Sequence, residues 1–344
     1  LLEVFSSNWY YRFKELMPSM ALLYLGTILR WRGYNVRLLD MQYPEVCLEY
    51  LYSVITEFKP ALVGVSSNQT DNLPSAIRII ARLKAKFPDL IVVIGGIHPT
   101  SEPEETLRAT GADYLVRGEG EKPFAELVDH LAKKQGALAG IKGVSYLHAG
   151  QIIHNPPAQL IANLDSLPIP DRTLLDHNEQ YAAAIITGRG CGYRCTTCVQ
   201  WGNCGVFRLR SAENIIKEIE YLYHKFNKRF FYFMEDALMA DPDRLKKLCT
   251  LLIRKFKGKG LLFFAEGLAD KLAKNLELIP LLKEAGLSVL HLAVESGSGD
   301  NLKYYGRGTD LEEVRAVVRE CEKAGIDLVA CSFIIGGPYE TIKS

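Results

Sequence analysis

Apolar residues recur along the front half of the chain in two alternating patterns, short continuous runs and longer stretches with helical spacing. The continuous runs lie at residues 1–5, 35–39, 61–65, 90–94 and 113–116. Helical spacing predicts helices between and after these runs, at residues 19–31, 73–86, 103–109 and 123–134. Near-continuous apolar runs are typical of parallel strands that are buried on both faces. The alternation therefore predicts an α/β fold with a doubly wound parallel sheet in this half.

A second alternation of strands and helices fills the back half of the chain. Its apolar runs lie at residues 181–187, 230–234, 261–265, 289–294 and 328–335. Acidic residues follow three of these runs, at Glu235-Asp236, Glu266 and Glu295. Polar residues at the carboxyl ends of successive parallel strands are typical of barrel active sites. The pattern predicts five strands of a β/α barrel, with the chain stopping at the start of the helix that follows the fifth.

The residues between the two halves predict a connector. Two apolar runs, 143–147 and 151–154, flank Ala149-Gly150, which is a hairpin signature. The proline-rich stretch 167–170 then extends the chain toward the second domain. We therefore expect a first domain over residues 1–140, a hairpin and proline-rich connector over 141–180, and a barrel over 181–344.

Composition narrows the class of protein. The chain has 344 residues, of which 48% are hydrophobic, and this is enough for two domains with sizeable cores. A formal net charge of +1 with 24% charged residues predicts no nucleic-acid partner. No apolar run approaches the roughly 20 residues of a membrane span. Eight cysteines, three of them clustered, favour a reducing cytoplasm over a disulfide framework.

The clustered cysteines are Cys191, Cys195 and Cys198, which follow the first strand predicted in the back half with the spacing C-x3-C-x2-C. A loop with this spacing places three thiolates on one side of an iron–sulfur cube and leaves the fourth iron open to a substrate or cofactor. Ferredoxin-type carriers bind all four irons through cysteine, and zinc sites favour two C-x2-C pairs. Cys204 follows Cys198 after five intervening residues, either as a fourth ligand or as an ordinary buried thiol. We expect the three-cysteine cluster.

Candidate ligand-binding residues of the front half lie at the carboxyl ends of its predicted strands, where flavodoxin-like and Rossmann-like sheets bind their ligands. The glycines among them leave the backbone open to a large flat ligand, although glycines that only make strand-to-helix turns are the alternative. No G-x-G-x-x-G follows the first run, which argues against a dinucleotide. The candidates are Ser66, Ser67, Asn68, Gly95, Gly96, Ile97, His98, Gly118 and Gly120.

The strand, cysteine loop and helix start at Ser211 resemble the first βα unit of the radical S-adenosylmethionine (SAM) enzymes. The front half resembles the cobalamin-binding domain that is joined to many of these enzymes. The matching stretches are residues 18–25, 95–100, 114–121, 155–157 and 164–172. The resemblance implies a cobalamin-binding sheet followed by a partial (β/α)6 TIM-like radical SAM barrel. Because the family's barrel has six strands, it also implies that the chain is truncated at its C-terminus.

The resemblance implies three cofactors, a [4Fe–4S] cluster, S-adenosylmethionine and cobalamin. The cluster would be bound by Cys191, Cys195 and Cys198, and cobalamin by the front-half candidates. S-adenosylmethionine would bind at the open iron and at the ends of the barrel strands. The residues implied there are Glu235 and Asp236 for the amino group, Glu295 and Ser296 near the ribose and methionine, Arg307 for the carboxylate or ribose, and Gly336 and Gly337 along the adenine.

Two positions depart from the family pattern. The residue before the third cysteine is usually aromatic in the family and is Thr197 here, which weakens adenine stacking but not cluster ligation. Cobalamin mutases carry D-x-H-x-x-G after the first strand, whereas residues 6–17 contain no histidine. We therefore expect bound cobalt to lack a lower histidine ligand. His98 is expected to bond backbone rather than cobalt.

The implied activity is that of a cobalamin-dependent radical SAM enzyme in the cytoplasm. It would cleave S-adenosylmethionine reductively to a 5′-deoxyadenosyl radical and methylate an unactivated carbon of a small-molecule or lipid substrate. Its partners would include an electron donor such as flavodoxin or ferredoxin. Two alternatives remain open. One is a radical SAM cyclase or oxidative enzyme that transfers no methyl group, and the other is a corrinoid-binding or redox-sensing module.

Overall fold

The computed structural model describes residues 17–41, 46–68, 70–134, 136–176, 181–198, 206–235 and 238–341. Its contacts divide the chain into two units, one of Leu1–Ile161 with Pro168–Tyr181 and one of Ala162–Leu167 with Ala182–Ser344. None of the helices in the described ranges is long and apolar enough to cross a membrane. The strand predicted at residues 1–5, Cys204 and Asp236 lie outside the described residues.

Unit 1 contains a sheet flanked by helices. Its described strands are β1 (Leu62–Ser66), β2 (Ile91–Gly95), β3 (Tyr114–Val116), β4 (Val144–His148) and β5 (Gln151–His154). Its described helices are α1 (Met20–Trp31), α2 (Leu48–Phe58), α3 (Leu73–Lys86), α4 (Ile97–Ser101), α5 (Pro103–Thr110) and α6 (Glu121–Lys133). The strands lie in sequence order, with β1 to β3 parallel and the β4–β5 hairpin antiparallel on β3. The predicted hairpin therefore extends the sheet of unit 1.

Helices cover both faces of this sheet, as predicted for a doubly wound arrangement. Along β2, Val92 and Ile94 pack in one core with Ile80 of α3, while Val93 packs in another with Leu127 of α6. Successive side chains of a strand point to opposite faces, so a strand with apolar residues at every position needs a layer on each side. The near-continuous apolar run of β2 is the sequence cause of this layering.

Three elements of unit 1 differ from the prediction. Residues 35–39 form no strand, and Val36 and Leu38 lie against Gly26 of α1. The short helix α4 was not predicted. Helix α2 was not predicted, although Leu51, Val54 and Ile55 form its buried stripe. Tyr50 and Tyr52 interleave with that stripe and obscure its period of 3.6 residues.

Unit 2 contains a larger parallel sheet. Its main strands are β6 (Ala183–Ile186), β9 (Phe230–Met234), β10 (Leu262–Gly267), β11 (Leu287–Glu295) and β12 (Leu328–Phe333), and β7 (Gly188–Arg189) pairs with β8 (Arg208–Leu209). Its described helices are α7 (Ala212–Lys225), α8 (Pro242–Phe256), α9 (Ala269–Ala273), α10 (Leu278–Ala285), α11 (Gly299–Tyr304) and α12 (Leu311–Ala324). The main strands are parallel and lie in sequence order, each added to the same edge. The five predicted barrel strands are confirmed.

Side-chain caps start three long helices of unit 2, and of these starts the sequence analysis predicted the one at Ser211. The Ser211 side chain accepts a hydrogen bond from the backbone of Asn214 at the start of α7, and Asp241 caps α8 in the same way. Asp310 and Glu313 form a capping box at the start of α12. The apolar faces of these helices then pack against the main sheet in one continuous core. Each strand is thereby held with its carboxyl end at one edge of the sheet, where the polar residues gather.

Candidate active site

The cluster loop (residues 191–198) follows β7 in unit 2. Cys195 is buried, while Cys191 and Cys198 are partly exposed. Burial raises the pKa of the Cys195 thiol, the guanidinium of Arg307 lowers it, and the other two cysteines raise it further. The three sulfur atoms therefore lie close enough to interact electrostatically, next to a positive charge that favours the thiolate form.

Among the residues that the structure describes, no group of three or more His, Cys, Asp or Glu side chains is placed to hold a single metal ion. An iron–sulfur cube bound through three different irons needs thiols that are further apart than the ligands of one ion. Three cysteines on one short loop, with Arg307 near Cys195, fit such a cube. Cys204 lies outside the described residues, so its role stays open.

A short stretch after α11, which we call the backing segment (residues 304–308), supports the cluster loop. The backbone N–H of Thr196 donates to the carbonyl of Tyr305 at 3.0 Å, and the Thr196 hydroxyl donates to the carbonyl of Tyr304 at 3.1 Å. Gly306 has a φ of +69°, and a Cβ there would lie 3.3 Å from the Arg194 carbonyl oxygen. The backing segment can approach the cluster loop this closely because residue 306 has no side chain and adopts the left-handed backbone that glycine tolerates.

Glu235, at the end of β9, is buried and fully engaged with neighbouring protein groups. Its carboxylate accepts hydrogen bonds from the Thr187 hydroxyl and from both Arg244 Nη atoms, at 2.9 and 3.3 Å. A Cβ on Gly188 would lie 2.8 Å from Glu235 Oε1. Burial lowers the pKa of Arg244, and Glu235 acts in the opposite direction. The carboxylate thus contacts the start of β7, which leads into the cluster loop, and the neighbouring candidate Asp236 lies outside the described residues.

Glu295, at the end of β11, has a φ of +71°, which is unusual for a residue other than glycine. Its carboxylate forms an ion pair with Arg307 of the backing segment, and both side chains are largely buried. The next residue, Ser296, is also buried, and its hydroxyl accepts from the backbone N–H of Ser298 at 3.1 Å. Glu295 and Arg307 therefore lie near Cys195, whose pKa responds to both of them, while Ser296 follows Glu295 in the chain.

The glycine pair after β12 lies against the same corner. A Cβ on Gly337 would clash with the Tyr305 hydroxyl and would lie 2.8 Å from Asn301 Nδ2. The backbone N–H groups of Gly336 and Gly337 both donate to Glu340. The Tyr305 hydroxyl is buried and has no hydrogen-bond partner among the described residues. Tyr305 and Asn301 therefore fill the space that a side chain at Gly337 would occupy, so this glycine allows close packing within the protein.

The candidates in unit 1 lie at the carboxyl edge of its sheet. Gly96 has a φ of +124°, and a Cβ there would clash with the carbonyl of Ser67. His98 lies in α4, is 7% exposed, and its Nδ1 is 3.2 Å from the Thr70 hydroxyl, so it bonds a side chain rather than backbone. The His98 Nε2 and Ser67 Oγ atoms are buried without a hydrogen-bond partner among the described residues. Buried polar atoms normally have partners, so this edge fits a polar ligand.

The remaining unit 1 candidates surround these atoms. Ser66 and Gly95 end β1 and β2, and Asn68 lies beside Gly96, where a Cβ would be 3.0 Å from the Asn68 Oδ1 atom. The backbone N–H of Gly118 donates to the hydroxyl of Thr100 at 3.0 Å. The two other candidates are Ile97, the first residue of α4, and Gly120, which precedes α6.

Comparison with known proteins agrees with this arrangement. The family model of the B12 binding domain matches residues 12–128, and that of the Radical SAM superfamily matches residues 185–344. Uncharacterized methyltransferase PH0819 of Pyrococcus horikoshii is 30% identical over 333 residues, which cover 94% of this chain and 70% of that protein. The chain belongs to the radical SAM enzymes that carry a B12 binding domain. The family and the fold class predicted from the sequence are thereby confirmed.

Two further proteins resemble this radical SAM enzyme over most of its length. Anaerobic magnesium-protoporphyrin IX monomethyl ester cyclase of Rubrivivax gelatinosus is 27% identical, with 95% of this chain and 60% of the cyclase covered. The structure of the radical SAM methyltransferase TsrM from Kitasatospora setae, with cobalamin and a [4Fe–4S] cluster bound, matches with a TM-score of 0.78 at 21% identity and covers 95% of this chain and 65% of TsrM. This second likeness shows the fold. The chain spans less than two thirds of the length of both proteins.

Several polar groups in the radical SAM unit were missed by sequence reasoning. They are Thr187, Tyr193, Arg244, Asp270 and Tyr305. Arg244 and Asp270 lie on helices that follow strand ends, and no spacing in the sequence shows which strand-end residue each contacts. Tyr193 lies inside the cysteine motif, which was the one available signal.

Proposed function

We propose that this chain carries the two cofactor-binding domains of an enzyme that methylates an unactivated carbon. The observation that supports the proposal most directly is the cluster loop with its three interacting thiols, held beside the Glu295–Arg307 pair. When bound, the cluster supplies an electron to S-adenosylmethionine, and cobalamin supplies the methyl group.

The residues of unit 2 would prepare the site for these groups. Arg307 stabilises the thiolate of Cys195, and Glu295 fixes the position of that guanidinium. Glu295, Ser296 and Arg307 would bind the polar parts of S-adenosylmethionine, while Gly336 and Gly337 admit its adenine. Glu235 would act indirectly, because its oxygens are engaged by Thr187 and Arg244. Asp236 is therefore our candidate for the amino group.

The edge of the unit 1 sheet would bind cobalamin. Gly96 keeps the backbone clear, and the unpartnered Ser67 Oγ and His98 Nε2 atoms would bond polar side groups of the corrin. His98 is oriented through its Nδ1 atom by Thr70, so we propose that it is no ligand of cobalt. TsrM, which shares the fold, was solved with cobalamin bound.

A second candidate function is radical cyclisation or oxidation without methyl transfer. The similarity to the cyclase of Rubrivivax gelatinosus favours it, because the cofactor-binding domains of the two proteins align over 95% of this chain. Either reaction needs an electron donor, such as flavodoxin or ferredoxin, and a reducing compartment for the cluster, which we propose to be the cytoplasm. The substrate class, a small molecule or a lipid, also stays a proposal.

Product analysis tests these alternatives. The chain is reconstituted anaerobically with iron, sulfide and hydroxocobalamin, mixed with S-adenosylmethionine and dithionite, and its products are measured by mass spectrometry. S-adenosylhomocysteine formed together with 5′-deoxyadenosine supports methyl transfer, while 5′-deoxyadenosine alone supports the second candidate. Release of neither product contradicts both. Cys195→Ala should abolish 5′-deoxyadenosine, whereas Cys321→Ala, which changes a buried thiol of α12, should preserve it.

A further inference from the structure

Tyr193 lies between the first two cysteines of the cluster loop and is held from outside the loop. Its hydroxyl donates a hydrogen bond to the Asp270 carboxylate. Gly308 of the backing segment lies next to its ring, where a Cβ would be 3.4 Å from Tyr193 Cε1. Two separate parts of unit 2 thus contact the Tyr193 side chain, one at the ring and one at the hydroxyl.

Asp270 is an unusual hydrogen-bond partner for Tyr193, because burying a charged carboxylate costs free energy. The residue is 3% exposed and lies in the first turn of α9, just beyond the end of β10. Its Oδ1 atom is buried without a hydrogen-bond partner among the described residues. Lys271 lies 3.7 Å from Oδ2 and 5.6 Å from the centre of the Tyr193 ring. The carboxylate is thus partly compensated, and its main described hydrogen bond runs to the cluster loop.

We propose that Asp270 is a positioning residue that fixes the cluster loop through the Tyr193 hydroxyl, and that its buried charge lowers the reduction potential of the cluster. The second part rests on the proposed function, while the first concerns the loop alone. A charged acceptor makes the hydrogen bond stronger than a neutral one, and a fixed negative charge near a redox centre opposes the uptake of an electron. The two effects are separable by mutation.

Tyr193→Phe removes the hydrogen bond and keeps the charge. We expect amide hydrogen exchange at Thr196 in the iron-free chain to accelerate about tenfold, since a charge-assisted hydrogen bond is lost. Tyr223→Phe is the matched control, because that hydroxyl bonds the Lys259 carbonyl at 3.1 Å, away from the loop. Equal exchange at Thr196 in Tyr193→Phe and Tyr223→Phe overturns the positioning role, and this measurement needs no cofactor.

Asp270→Asn removes the charge and keeps an oxygen that accepts from Tyr193. We expect the midpoint potential of the reconstituted cluster, followed by electron paramagnetic resonance, to rise in this variant and not to rise in Tyr193→Phe. Asp327→Asn, which changes an acid paired with Lys283 on the same unit, is the control. An unchanged or lower potential in Asp270→Asn contradicts the electrostatic role. A wild-type chain that takes up no iron contradicts the proposed function instead, and the exchange measurement then decides the inference alone.

Discussion

At the scale of single residues, unit 2 buries two arginine–glutamate pairs next to the strand that leads into the cluster loop. Arg210 lies 2.6 Å from Glu218, and Arg244 lies 2.9 Å from Glu235. Both glutamate side chains are fully buried. A buried pair adds little stability relative to apolar residues, but losing one partner is costly because the other charge stays buried. The pairs therefore contribute to a single defined arrangement of these side chains more than to the stability of the fold.

Arg244→Met should show this asymmetry. We expect the free energy of unfolding, from urea titration followed by circular dichroism, to fall by about 3 kcal/mol, because Glu235 is left buried and uncompensated. Changing both residues to methionine should recover part of that loss. Lys257→Met, which breaks an exposed pair with Glu284, should cost less than about 1 kcal/mol. A loss in Arg244→Met as small as that of the exposed pair would argue against this account.

The sequence predicts where an acidic residue lies in the fold better than it predicts which side chains that residue contacts. The positions of Glu235 and Glu295 at strand ends were predictable, because strand ends follow from the apolar runs. Their partners were not, since the Glu235–Arg244 and Tyr193–Asp270 contacts depend on how helices pack after each strand. The assignment of Glu235 to the amino group of a ligand stays a prediction.

At the scale of elements, the cluster loop has little regular structure and takes its shape from the backing segment. The close approach at Gly306 combines a left-handed φ of +69° with a neighbouring carbonyl oxygen. Strands and long helices were predictable because their periodicity is local. The backing segment was not, because its contact with the loop joins residues about a hundred positions apart, as in the Thr196–Tyr304 hydrogen bond.

Gly306→Ala should strain the backbone at residue 306 and should also displace the cluster loop, because a Cβ there would press on the Arg194 carbonyl. Gly325→Ala is the matched control, since Gly325 has a φ of +73° with no atom near its missing Cβ. Both substitutions should lower the free energy of unfolding by about 1 kcal/mol through strain. Only Gly306→Ala should also reduce the iron retained after reconstitution and desalting. Equal iron in the two variants would show that the close approach is dispensable.

In unit 1, Asp129 of α6 is joined through charge to the residues that directly follow α1. It accepts hydrogen bonds from the Tyr34 hydroxyl at 2.6 Å and from Lys133 at 2.7 Å, and it pairs with Arg32. The Lys133 hydrogen bond, followed by that of Tyr34, lowers the pKa of Asp129 from 3.8 to about 2. A depressed carboxyl pKa stabilises the fold above the unfolded pKa, and this stability is lost as the pH falls through the folded one.

Asp129→Asn should therefore lower the free energy of unfolding by at most about 1 kcal/mol at neutral pH, since the group is partly exposed and solvent screens it. The difference from the wild type should shrink as the pH falls from about 4 toward about 2, where the wild-type carboxyl also becomes neutral. Urea titrations across that interval measure it. A difference that is independent of pH would mean that packing, not charge, joins the two helices.

At the scale of the whole molecule, the two candidate sites are built by separate units with separate cores. Each site lies at the carboxyl edge of its own parallel sheet, which is where such sheets bind ligands. Both sites use a close backbone approach, at Gly96 in unit 1 and at Gly306 in unit 2. This arrangement implies that the proposed cofactors can be lost independently of each other.

Gly96→Ala and Cys195→Ala test this independence as a pair. Gly96→Ala forces a Cβ against the Ser67 carbonyl at a φ of +124°, so cobalt per chain should fall while iron is retained. Cys195→Ala removes a cluster ligand, so iron should fall while cobalt is retained. Gly111→Ala, with a left-handed φ but open space, and Cys249→Ala, in the core of α8, are the matched controls that should keep both metals. Loss of both metals in either test variant would show that one unit depends on the other to hold its cofactor.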